Sequence, residues 1–466
     1  MATMNSSSNK NNMNGGSDDS KSSNQHGDDE QVLPSLLAAA RPFLRGELGA
    51  ADPALPSLVS VLRAAGAGEC YHKHGTFLDH LVGVYRILRL WGAPDAVARC
   101  GLFHSSYSNS YVNLAIFHPD TGRGRVAGVI GAAAERLVHL FCVVPRHQLI
   151  HDHLIFHYTD TELADGLAAA ASGQQGSDSD ESWAAPWRVK LRSVVPPEGV
   201  VARHIRTGEP VALSRRVVAA FLLMTVADFS DQYTDYQDQL FGNGDGRLEF
   251  AGDNWAALWP GTGKPGLWVS SMSRMAALYH LIAMDYELLL AAGGAGGRVI
   301  NGDDELVGEL VIPPVFEGCT RVLDPEEQKA ARDLYWEAIN TSCSSIKDGA
   351  GGWKKVEALL RQSIQRNPFV GEPHLVLAQV LLNAASTGTE RETEGRYDSY
   401  EEAAKAAARG VRLLLEWGSS WDKRMSWEGW VSWGRLMRDK ARRNEWPRTA
   451  WGIINLGLVE GVANCN

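Results

Sequence analysis

One segment, RRVVAAFLLMTVADFSDQYTDYQDQLF (215–241), restricts the fold more than any other. From Val217 to Phe229 it is apolar except for Thr225 and Asp228. A helix that is apolar all round belongs in an interior, so this one needs other elements packed around it. Asp228 closes the run. A buried carboxylate without a partner is costly, so Asp228 must meet a cation, a donor network or a metal. Asp231, Asp235 and Asp238 follow at spacings that put all four carboxylates on one helical face. A solvated acidic face is the plain reading of Asp235 and Asp238. Asp231 stays open between that and the edge of a cation site.

Other segments supply the surrounding helices. In TFLDHLVGVYRILRLWG (76–92), Leu78, Leu81, Val84, Tyr85, Leu88 and Trp91 recur at helical spacing. Thr76 and Asp79 form a capping-box pattern, and Gly92 is a stop signal. Further helices are predicted at 95–105, 128–143, 214–240 and 268–292, with short strand-like pieces at 110–117, 188–195 and 309–316. The expected class is mainly α. A length of 466 residues suggests roughly two to four domains.

The residues that carry chemistry lie close to these helices. His72 and His74 precede the 76–92 helix, His80 sits in its first turn, and His104 ends the next helix. His80 and His104 are 24 residues apart, one helical hairpin. Two antiparallel helices joined at WGAPDA (91–96) would bring their far ends, and so both histidines, together.

His80, the GLFHS segment (101–105) in place of a GLLHD segment, and VADF (226–229) in place of an AD helix resemble the HD-domain superfamily of metal-dependent phosphohydrolases. The nearest flavour is the hydrolase domain of bacterial alarmone synthetase/hydrolases. The resemblance implies an all-α bundle in which His80, His104 and Asp228 hold a divalent metal, and it departs from the pattern at Ser105. The stretch from 74 to 107, with IGAAAERLVHLFC (130–142), is also similar to an uncharacterised family of plants and bacteria. That family keeps His-Ser, which makes Ser105 a family habit. A neutral hydroxyl in place of the usual aspartate leaves two imidazoles and one carboxylate. Such a set holds one Mn²⁺, Zn²⁺, Fe²⁺ or Mg²⁺ rather than two metals. Ser105 would then position a water or a phosphate oxygen.

Three further signals are weaker. FGNGDGRLEF (241–250) has Phe241 and Gly252 where a calcium loop needs acidic ligands, and PGTGKPG (260–266) lacks the phosphate-loop pattern, so both read as turns. HDHLIFH (151–157) offers His153 and His157 at a metal-binding spacing only if that segment is helical. Arg123, Arg125 and Arg146 would meet an anionic substrate or, more simply, form salt bridges.

After Pro325 the pattern changes to paired amphipathic helices, with small residues at Ala378, Ala403 and Ala407 and a turn at Asn367-Pro368. This region resembles tetratricopeptide (TPR) repeats, and the block WDKRMSWEGWVSW (421–433) resembles plant proteins described as tetratricopeptide-like. Trp417, Trp421, Trp427, Trp430, Trp433, Trp446 and Trp451 either knit a capping helix pair or line a groove with Lys423 and Arg424.

The resulting expectation has three parts. Residues 1–31 form a disordered tail, residues 32–312 an HD-like helical domain with a polar insertion near 172–182, and residues 313–466 a TPR-like domain with a Trp-rich cap. A net charge of −10 argues against a broad nucleic-acid surface. No apolar run is long enough for a membrane span. Scattered cysteines and the lack of a signal core point to the cytoplasm. Two functions stand: metal-dependent hydrolysis of a nucleotide or another small phosphorylated molecule, and a non-catalytic scaffold that recruits a protein through the TPR-like, Trp-rich end.

Overall fold

The computed structural model describes residues 19–72, 75–108, 115–146, 148–172, 185–232, 268–291, 304–348, 350–387 and 393–447. The chain is mainly α. Among the described residues the strands are two short antiparallel pairs, Tyr71–His72 with Gly75–Thr76 and Val200–Arg203 with Pro210–Leu213. No described helix is long and apolar enough to cross a membrane.

The 76–92 pattern produces the Phe77–Leu90 helix. Thr76 caps it by accepting the Asp79 N–H, and Asp79 returns the bond to the Thr76 backbone. Leu81, Val84, Tyr85, Leu88 and Trp91 are all buried. The Asp95–Phe103 helix folds back on it as the second arm of a hairpin. The apolar run forms the Arg215–Gln232 helix, buried from Val217 onward, which packs on the hairpin and on the Trp268–Ala291 helix.

Several local expectations need correction. The helix expected over 128–143 is two, Arg123–Ile130 and Ala132–Val143, because Gly131 at φ 90° breaks the ladder. Residues 188–195 lie in a helix, Pro186–Val194, and 309–316 runs into the Pro314–Cys319 helix. Pro186 and Pro314 preset the first helical turn at these places. Ala115 pairs with Tyr107 in an isolated bridge, while 109–114 lies outside the described residues. The tail expected to be structureless through residue 31 is helical from Asp19 to Leu44. Its polarity is offset by partners: buried Asp29 meets Arg412 at 2.9 Å and Arg409 at 3.2 Å, while Leu33, Ala40 and Phe43 enter the core.

Beyond Pro325, successive helices (Pro325–Asp348, Ala350–Arg366, Gly371–Thr387, Thr393–Trp417, Trp427–Arg442) pack on their sequence neighbours. Ala378, Ala403 and Ala407 are fully buried, so neighbouring backbones approach closely. The hydrophobic core is continuous across residue 312, from Leu33 to Ala441. Trp91 donates its indole N–H to the Glu416 carbonyl at 2.8 Å, and Arg86 donates to the Gly418 carbonyl at 2.9 Å. Gly418 has φ +67°, and a Cβ there would press on the Ile87 backbone, so glycine lets this turn settle on the helix that carries His80.

Candidate metal centre

Three helices deliver three donor atoms to one buried point. His80 lies in the first turn of Phe77–Leu90, His104 directly follows Asp95–Phe103, and Asp228 sits near the end of Arg215–Gln232. One ligand atom from each falls within 4.8 Å of the others. The two Nε2 atoms are 3.4 Å apart, and Asp228 Oδ1 is 3.3 Å from His80 Nε2 and 3.8 Å from His104 Nε2. All three side chains are buried.

The outer hydrogen bonds decide which ring nitrogens face inward. His104 Nδ1 is 2.7 Å from the Gly101 carbonyl oxygen. A carbonyl only accepts, so Nδ1 carries the hydrogen and the Nε2 lone pair points into the site. His80 Nδ1 donates to Asp231 Oδ2 at 2.8 Å, which turns its Nε2 the same way. Metal-binding histidines are oriented in this manner, with the remote N–H held by a carbonyl or a carboxylate. The Cys142 thiol donates to the His104 carbonyl at 3.2 Å and helps fix that turn.

Electrostatics follow from burial and these partners. Burial pulls the His104 imidazole down to about 4, so it is neutral at physiological pH. Burial also opposes charge on His80, but hydrogen bonds and charge from Asp228 and Asp231 outweigh it and lift His80 to about 9. Burial alone would raise the Asp228 carboxyl. The neighbouring imidazoles and Arg146 hold it well below the usual carboxylate range. Arg146 is itself buried, stacked 3.6 Å above the Phe141 ring with Nη1 3.9 Å from Asp228 Oδ2. A proton on His80 therefore balances the two carboxylates, and a divalent cation can take over that balance. Two imidazole nitrogens and a carboxylate oxygen, preset by oxygen acceptors, suit such an ion.

Asp231, Gln232 and Arg86 complete the surroundings. The Gln232 amide donates to Asp228 Oδ1, lies 3.3 Å from His80 Nε2, and accepts from His72 Nε2–H at 3.0 Å. Sequence reasoning missed Gln232, although it stands one helical turn beyond Asp228 on the same face. Asp231 proves to be the support of His80. A Cβ at Gly83 would collide with the Asp231 carboxylate, so glycine makes room for it. Arg86 Nη2 is 3.8 Å from Asp231 Oδ1, and its guanidinium stacks on the Trp427 ring at 4.6 Å. Nothing in its spacing had marked it.

Ser105 is buried directly after His104. His153 and His157 are exposed and sit outside any α-helix: a π-turn ends at Asp152 and a 3-10 turn spans Ile155–His157. Arg123 forms a two-pronged pair with Glu135 at 2.7 and 2.8 Å, and Arg125 lies over the Phe117 ring. Trp417, Trp427 and Trp430 are buried and donate to backbone carbonyls, which knits the C-terminal helices together, and Trp427 also lines a cleft with Lys423. Arg424 pairs with Asp422. His74, Asp235, Asp238, Trp451 and the segments 241–250 and 260–266 lie outside the described residues.

Among known proteins, one family model matches, described as "Domain of unknown function (DUF6817)", over residues 61–146. The matched stretch contains His80 and His104 and stops short of Asp228. Comparison with curated proteins gives no match, and comparison with solved structures gives none.

Proposed function

We propose that this chain is a metal-dependent phosphohydrolase acting on a nucleotide or another small phosphorylated molecule. One observation carries the reading. Both imidazoles have their Nδ1 hydrogens tied back, to Asp231 and to Gly101, so that two Nε2 atoms and Asp228 Oδ1 converge. In this reading the domain is HD-like, His80, His104 and Asp228 hold one Mn²⁺, Zn²⁺, Fe²⁺ or Mg²⁺, and the C-terminal helices are TPR-like. The ion supplies Lewis acidity, which polarises a phosphate oxygen and makes water a nucleophile at neutral pH. Asp231 and Gly101 orient the ligands, while Phe141, edge-on to both His104 and Phe221, keeps bulk water from the inner side. Ser105 positions the attacking water or a phosphate oxygen.

The test is metal content of the purified chain after reconstitution, wild type against His104→Ala, with helicity followed by circular dichroism. Near one ion per wild-type chain, lost in a folded variant, supports the reading. A well-folded wild type that retains none sinks it. A hydrolysis screen across nucleotides and phosphomonoesters then tests the substrate class.

A further inference from the structure

A cleft of about 540 Å³ opens beside the centre, within the size range of small-molecule sites. One wall carries His72, His80, Asp231 and Gln232. The other comes from the C-terminal region, including Ser420, Lys423 and the start of the Trp427–Arg442 helix. Gln232 stands between the two spaces: it lines the cleft and reaches Asp228 Oδ1 behind it.

The charges of the cleft are unevenly satisfied. Each of its carboxylates has a partner within the protein. Asp79 closes the capping box with Thr76, Asp231 holds His80, and Glu428 meets Arg86 at 3.1 Å. The cations are not all matched. Among the described residues, neither Lys423 nor Arg63 forms an ion pair or a hydrogen bond from its side chain. Ser420 is 1% exposed and lines the cleft, and its hydroxyl has no hydrogen-bond partner among the described residues. A buried hydroxyl beside an unpaired ammonium is a built place for an oxyanion. The helix beginning at Trp427 adds the positive end of its dipole to the same wall.

We infer that Lys423 and Ser420 bind the anionic group of the ligand that the metal centre acts on, so that the C-terminal helical region forms half of one composite phosphate-binding site. The inference rests on the metal-centre reading for what happens to that ligand, but binding can be tested alone. Burial draws the Lys423 ammonium below its ordinary range, and the Asp231 carboxylate opposes that fall, so the lysine and the ligand-holding carboxylate feel one another. An entering anion would restore the charge balance that burial withholds.

Inorganic pyrophosphate, titrated calorimetrically into the full chain with Mn²⁺ and again after chelator treatment, tests this. Wild type is expected to bind in both states. Lys423→Met should weaken binding by about tenfold or more, the loss of one charge-assisted contact, while Tm and metal content hold. Lys423→Arg should retain most of the affinity, and Ser420→Ala should lose a smaller factor. Equal affinity in wild type and Lys423→Met, or no binding by wild type in either state, overturns the inference. Pyrophosphate bound through Lys423 by a chain that retains no metal overturns the metal-centre reading alone.

Discussion

His80 Nδ1 lies 2.8 Å from Asp231 Oδ2, and that one bond turns the opposite ring nitrogen towards His104 and Asp228. Asp231 thus acts on the centre through a neighbour, at a position 151 residues further along the chain. The other imidazole is held by a backbone carbonyl three residues away. One imidazole is therefore preset by its own helix end, and the other depends on a long-range contact.

Asp231→Asn keeps the size of the side chain and removes its charge. Metal affinity should fall by about tenfold to a hundredfold, the usual cost of removing a partner that orients a ligand. Competition against a chromophoric chelator measures it, with circular dichroism to confirm the fold. Gly83→Ala should act in the same direction by displacing the same carboxylate. Unchanged affinity in both variants would remove Asp231 from the centre.

Trp91 joins the helix of His80 to the C-terminal region. Trp91→Phe keeps an aromatic ring against Phe316 and Trp417 but leaves the Glu416 carbonyl without its donor. The expected loss is about 1–2 kcal/mol in urea denaturation, and Trp91→Ala should cost about 3–5 kcal/mol. A loss within the scatter of surface substitutions would show that the two regions do not depend on this contact.

Two buried groups near the Asn367-Pro368 turn give stability opposite pH dependences. Burial and the charge of Arg409 hold His374 down at about 3, against an ordinary 6.5, although its ring meets the Pro368 carbonyl. The unfolded chain takes up this proton first, so the contribution of His374 is complete above pH 6.5 and is lost as pH falls towards 3. Glu372 is raised by burial from 4.5 to about 7, so its contribution is complete below pH 4.5 and is lost as pH rises through 7. Stability measured from pH 7 to 4 should show the gap between wild type and His374→Gln narrowing on acidification, by at most about 1.4 kcal/mol per pH unit. Glu372→Gln should show the reverse trend. Parallel curves for either variant contradict its assignment.

What could be read before folding was local. Leu78, Leu81 and Val84 at helical spacing, the Thr76–Asp79 capping box and the Gly92 stop concern residues within a turn or two of one another, and the Phe77–Leu90 helix obeys them. Asp228 was legible because it interrupts an apolar run, where its burial has to be compensated, while His80 and His104 were joined to it by their hairpin spacing and by the resemblance to HD-domain proteins. The reading failed at 188–195, expected as a strand, and at 19–31, judged by composition: proline at a helix start and distant arginines outweighed it.

The sequence by itself determined helices such as Phe77–Leu90 and Arg215–Gln232, their apolar faces and the Asp228 carboxylate whose burial demands a partner, because backbone sterics and hydrophobic periodicity act over a few residues. The tertiary structure alone decided that Asp231 supports His80, that Gln232 meets His72 and His80, and that Lys423 and Ser420 face the cleft beside them. Those relationships join segments more than a hundred residues apart, and only the packing of one helix on another sets which side chains share a low-dielectric space.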